Sequence, residues 1–152
     1  ERLAALEQQY PGQLHAATDI TGFGLLGHLG EMLGDTPTDG DPLQVTLEAS
    51  AIPALPGAMA LLTAGHASSL APANRRAWQL LDPQAIRNGA AAVKLDLGSL
   101  QAGSQDHRAL LELLIDPQTC GPLLISAAPP LAEALLNQDH QRWWLIGSAT
   151  TA

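Results

Sequence analysis

Lysine occurs once in this 152-residue chain, at Lys94, and cysteine once, at Cys120. A single cysteine excludes an internal disulfide framework and fits a reducing compartment. Seven basic residues stand against fifteen acids, a formal charge of −8, and the arginines cluster no further than the Arg75-Arg76 pair. Nucleic-acid binding needs a basic stripe that displaces counterions, so that class is excluded. The same shortage leaves no cationic set for a self-sufficient nucleotide-phosphate site. No apolar run reaches transmembrane length and no charged-then-apolar leader opens the chain, so no membrane association is expected. A Gly-Lys-Ser/Thr phosphate loop, a nucleophile elbow and a paired-cysteine zinc site are all missing, and the five histidines show no metal-ligand spacing. What is present is apolar: 46% hydrophobic against 14% charged residues describes a packed globule rather than an acidic tail. The expectation is one soluble, cytoplasmic domain. The chain opens on Glu1 rather than Met and is expected to be a piece of a longer polypeptide.

Periodicity predicts the elements. Residues 1–10 read as a short helix stopped by Pro11-Gly12. From 22 to 34, Leu25, Leu26, Leu29, Met32 and Leu33 mark one buried helix face. Gln44–Ser50 alternates as a half-buried strand, after an exposed loop at 35–42. Helices are predicted at 57–64, in broken form at 74–90, from a cap at Asp106 to about Leu114, and at 130–138. Further strands are predicted at Ala92–Leu97, Pro122–Ala127 and Arg142–Ser148. Strands interleaved with helices give an α/β (α+β) class, with a mixed sheet of about four strands sandwiched with helices.

Chemistry concentrates in two segments. In "TDITGFGLLGHL", residues 18–29, and just beyond, five glycines crowd a stretch that otherwise reads as helix. Each interior glycine costs up to about 1 kcal/mol relative to alanine, which asks for a compensating reason. Gly27, Gly30 and Gly34 share a face where another backbone could pack closely. Gly22 and Gly24 sit at the helix start, where free N–H groups attract an anion such as phosphate. Asp19 just ahead reads either as a carboxylate stabilised by the helix dipole or as a Mg²⁺ ligand beside that turn. His28 reads as a packed, hydrogen-bonded histidine.

The second segment, "LLIDPQTCGPLLI" at 113–125, is a tight helix-to-strand connection. Cys120 within it has no base or cation nearby in sequence and reads as an inert thiol rather than a nucleophile.

Together the two segments resemble the C-terminal domain of selenophosphate synthetase (selenide, water dikinase), a branch of the aminoimidazole-ribonucleotide synthetase superfamily. "LEASAIPALPGAMAL" at 47–61, Asn74 of the middle loop and "WWLIGSAT" at 143–150 agree in order, so the similarity covers nearly the whole chain, 1–152, as a single domain. The resemblance implies a partly ferredoxin-like α/β sandwich. It implies a full-length enzyme that cleaves ATP with selenide and water to selenophosphate, AMP and orthophosphate, with Mg²⁺ on the phosphates. Carried onto this sequence, Asp19 is the metal ligand, and Thr21, Gly22, Phe23 and Gly24 form the turn near the nucleotide. Asp116–Thr119 shapes the surface facing that site.

The implied partners are the chain's own N-terminal catalytic domain, ATP, selenide and, at full length, a second copy in a homodimer. The family's catalytic cysteine or selenocysteine, its lysine and its further metal-binding aspartates belong to that N-terminal half. The domain alone is therefore expected to be inert. Two departures stand out. Cys120-Gly121-Pro122 replaces Ser-Gly-Gly, so a backbone contact through the second glycine's N–H would be lost. The middle loop "GHASSLAPAN" lacks the glycine usually ahead of Asn74. Other readings are a non-catalytic binding or scaffold module of the same fold, or a superfamily relative with another ATP-dependent substrate.

Overall fold

The structure is a computed structural model that describes residues 2–34, 43–82, 92–119, 121–138 and 142–151. Its elements run α1 (Arg2–Gln9), β1 (Leu14–Asp19), α2 (Gly24–Gly34), β2 (Leu43–Glu48), α3 (Ala58–Thr63), α4 (Ala71–Asn74), β3 (Ala92–Asp96), α5 (Gln105–Leu113), β4 (Leu123–Ala127), α6 (Pro129–Gln138) and β5 (Gly147–Thr151). Short 3-10 turns follow β2 at Ala49–Ala51 and α4 at Arg75–Leu81. The class is α/β, as expected, but the strands divide into two sheets. β1 and β4 form an antiparallel pair, and β3-β2-β5 form a mixed sheet, parallel between β2 and β3 and antiparallel between β2 and β5.

β1 is the element that sequence periodicity missed. Leu14–Asp19 alternates half-buried and exposed residues, but Leu14 is its one large aliphatic side chain, so the signal is faint. Pairing with β4, register Asp19↔Leu123, supplies what local propensity does not. The closing strand also moves. It is Gly147–Thr151, opposite β2, rather than Arg142–Ser148. Trp143 packs instead against Leu131 and Leu135 of α6, which takes the apolar 143–146 run out of the ladder. α5 is capped two residues earlier than expected: Ser104 Oγ, not Asp106, accepts the His107 N–H at 3.1 Å. The stretch expected as broken helix is α4 and a 3-10 turn up to Leu81, and its remainder at 83–90 lies outside the described residues. So do the loop at 35–42 and Cys120.

The main core gathers on α2. Leu25, Leu26, Leu29 and Leu33 pack with Ile20, Val45, Leu47, Val93, Leu114 and Ile115. Leu26, Leu114 and Ile115 are wholly buried, so the two sequence segments meet inside the protein. No helix among the described residues is long and apolar enough to cross a membrane.

Candidate functional site

β1 carries the chain out of the sheet at Asp19, buries Ile20, and turns through Thr21–Phe23 into α2. The second segment holds this exit in place through main-chain bonds. The Ile20 N–H donates to the Pro122 carbonyl at 3.0 Å, the Gln118 N–H to the Thr21 carbonyl at 2.9 Å, and the Leu26 N–H to the Leu114 carbonyl at 2.8 Å. Residues about ninety positions apart thus interlock. At position 122 the contact runs through a carbonyl, which proline retains, so Pro122 does not break it. The position that demands glycine is 121, where a Cβ would run into the Ile20 carbonyl oxygen.

Asp19 is exposed at the strand end. α2 begins only at Gly24, so the carboxylate does not stand directly ahead of the helix as the dipole alternative required. Among the described residues, no cluster of three or more His, Cys, Asp or Glu could enclose a metal ion. A cation held by the Asp19 carboxylate would have to draw most of its other ligands from outside the described residues. Mg²⁺ suits such a donor, because it keeps waters and substrate phosphates in its octahedral shell alongside one or two carboxylates.

The turn is tight. Gly24 N–H donates to the Thr21 carbonyl at 3.2 Å, which leaves the Gly22 and Phe23 N–H groups without a backbone carbonyl among the described residues. Gly24 has φ +69° and is buried against Ile115, whose carbonyl carbon would lie 2.5 Å from a Cβ. The expectation for the other glycines is corrected in one respect: side chains, not a backbone, approach them. A Cβ on Gly27 would lie 2.6 Å from Phe23 Cβ, one on Gly30 2.7 Å from Leu80 Cδ1, and Gly34 meets nothing.

A hydrogen-bonded chain runs under the turn. Thr21 Oγ1 lies 3.0 Å from His28 Nε2, and His28 Nδ1 lies 2.8 Å from Glu31 Oε2. His28 is buried, as expected for a packed histidine. In the neutral imidazole, Nδ1–H donates to the Glu31 carboxylate and Nε2 accepts the Thr21 proton. Thr21 is itself exposed, so its hydroxyl oxygen keeps acceptor capacity at the surface.

Asn74 closes the arrangement from α4. Its amide Nδ2 donates to the Gly22 carbonyl at 2.9 Å and to the Ile115 carbonyl at 3.1 Å. It is one of two polar residues in the described core, and it ties the first segment to the second. Sequence reasoning placed Asn74 in a middle loop without assigning this clamp. It also missed Arg76, whose guanidinium carbon stands 5.8 Å from the Phe23 ring centroid. Within the second segment, burial raises the Asp116 carboxyl above its ordinary value, and the neighbouring Glu112 charge adds to the rise.

A family model described as AIR synthase related protein, C-terminal domain, matches residues 1–152. The selenide, water dikinase of Rhizobium meliloti is 38% identical over 125 residues, 82% of this chain and 29% of that protein. That of Pelobacter propionicus is 35% identical over 123 residues, 81% of this chain and 29% of that protein. That of Nitratidesulfovibrio vulgaris is 29% identical over 137 residues, 88% of this chain and 32% of that protein. The chain spans about a third of the length of these curated relatives.

Proposed function

The chain belongs to the family of AIR synthase related proteins, as their C-terminal domain, and from that premise we propose that it is the C-terminal domain of a selenide, water dikinase. In this reading it is inert alone. It serves an ATP site, completed by an N-terminal half, that makes selenophosphate from selenide. The observation that carries the reading is the solvent-facing Asp19 carboxylate at the end of β1, beside a turn that the second segment locks.

Asp19 is the residue that would hold Mg²⁺, which when bound neutralises phosphate charge during transfer. Thr21, Gly22, Phe23 and Gly24 form the wall of the nucleotide site. The Gly22 and Phe23 N–H groups, which meet no backbone carbonyl among the described residues, are its main-chain donors. With His28 in the Nδ1–H tautomer that Glu31 accepts from, the Thr21 hydroxyl donates to His28 Nε2 and keeps its oxygen lone pairs for a ligand. It suits a hydrated cation better than a bare phosphate oxygen. The division of charge follows from composition: the lysine-poor, acidic domain supplies carboxylate, and the companion half supplies most of the cations. A scaffold module that has lost catalysis gains no support from Pro122, since the bond there uses its carbonyl.

The test is Asp19→Asn in the full-length polypeptide. Selenide-dependent ATP consumption should fall to background, and Mn²⁺ binding measured by paramagnetic resonance should weaken. Stability should change by no more than about 0.5 kcal/mol, as for an exposed substitution. Near-normal turnover with unchanged Mn²⁺ affinity would overturn the assignment.

A further inference from the structure

Basic side chains are few, and the structure accounts for most of those it describes. Arg75 is ion-paired with Glu112 at 2.9 Å, and Arg108 donates to the Gly103 carbonyl at 2.8 Å. Arg76 differs. Among the described residues it makes no ion pair and no hydrogen bond, and its guanidinium carbon lies 5.8 Å from the centroid of the Phe23 ring. Phe23 is itself 45% exposed, although it is the chain's only phenylalanine. An exposed aromatic beneath an unpaired guanidinium, in an acidic domain, asks for a reason.

The contact with the ring supplies one. At 5.8 Å from the ring centroid the guanidinium is within cation–π reach, a contact that uses none of its N–H donors, so they stay available for a planar or tetrahedral oxyanion. Beside the pair lies a cavity of about 320 Å³ lined by Phe23, Gly27, Gly30, Asn74, Arg76 and Leu80, among others. Glu31 reaches the same cavity, and its carboxylate is held by His28 at 2.8 Å. An anion is therefore favoured on the Phe23 side, next to the turn.

We propose that Arg76, held over Phe23, is a phosphate-binding residue that this domain contributes to the polyphosphate end of the nucleotide. The proposal rests on the reading of the Asp19–Gly24 site given above and adds a cation to a domain whose composition hides it. Positions 19 and 76 then act as a pair of opposite sign, one toward the metal and one toward phosphate oxygens.

The experiment uses the full-length polypeptide and calorimetry with the magnesium complex of a non-hydrolysable β,γ-imido ATP analogue. Arg76→Gln should weaken binding about tenfold, the size expected for one charge-assisted contact. It should also flatten the dependence of affinity on salt between 50 and 200 mM, which a purely structural role would not do. Arg76→Lys should recover most of the affinity, and Arg75→Gln, which removes the Glu112 pair and the contact with the Trp78 ring, should stay within about twofold of wild type. Adenosine affinity should be unchanged by Arg76→Gln, while inorganic tripolyphosphate should weaken in parallel with the analogue. An Arg76→Gln protein that melts like wild type and binds the analogue within twofold, with the same salt slope, would overturn the proposal alone. A wild-type protein that binds no nucleotide would sink the functional reading along with it.

Discussion

Gly22 and Gly24 stand two residues apart in the same turn and answer to different constraints. A Cβ on Gly22 would meet nothing within 4 Å, whereas Gly24 combines φ +69° with an Ile115 backbone 2.5 Å from where a Cβ would sit. A left-handed conformation alone costs an L-residue about 1–2 kcal/mol, and main-chain overlap adds to it. Gly24→Ala is thus expected to destabilise the domain by at least about 2 kcal/mol. Gly22→Ala should be neutral or stabilise by up to about 1 kcal/mol, because Gly22 has no positive φ and alanine lowers the entropy of the unfolded chain. Urea melts of the two variants check the pair, and equal losses would contradict the turn geometry. At this scale the sequence was informative where a residue type was locally costly. Five glycines in a helical pattern could not be explained by propensity, and they led directly to the turn. Arg76 was illegible, because an arginine after a short loop is ordinary until the fold lays it over Phe23.

Between elements, the decisive contacts are main-chain carbonyls capped from a distance. Asn74 sits in α4, and its two acceptors belong to Gly22, 52 positions earlier, and Ile115, 41 positions later. No sequence pattern announces a side chain's bond to a remote carbonyl, which is why the clamp escaped sequence reasoning while both segments it joins did not. β1 escaped for a related reason: its strand character comes from β4, not from its own alternation. The clamp can be tested apart from catalysis. Asn74→Ala strips the donor from two carbonyls, one of them buried, and is expected to cost about 2 kcal/mol. Asn74→Asp is nearly isosteric but points acceptor oxygens at two acceptors, so at neutral pH it should be less stable than Asn74→Ala. Thermal melts at pH 7 decide the order. An aspartate variant as stable as wild type would show that the amide donors carry no weight.

For the whole molecule, a formal charge of −8 sets the background against which each carboxylate ionises. Asp116 is the described carboxylate whose environment clearly opposes ionisation, first through burial and then through Glu112. Its folded pKa lies above the ordinary value of 3.8. Well below that value the group is protonated in folded and unfolded chains alike, and it favours neither. As pH rises through the raised folded pKa, the folded state must hold a charge that the unfolded chain holds more easily. The stability present at acid pH is therefore lost on the way to neutrality. Asp116→Asn removes that penalty while keeping the side chain's shape, and the bond it gives up, Gln118 Nε2 to Asp116 Oδ2 at 3.4 Å, is long. The variant should consequently melt higher than wild type at pH 7, and its advantage should shrink as pH falls toward 3.8 and disappear below it. Glu112→Gln should lower the Asp116 pKa part of the way, since it removes the smaller cause and leaves burial in place. Melting curves of the three proteins between pH 3 and pH 8 measure both effects. A gain for Asp116→Asn that persists unchanged at pH 3 would place its origin in packing rather than in the cost of a buried charge.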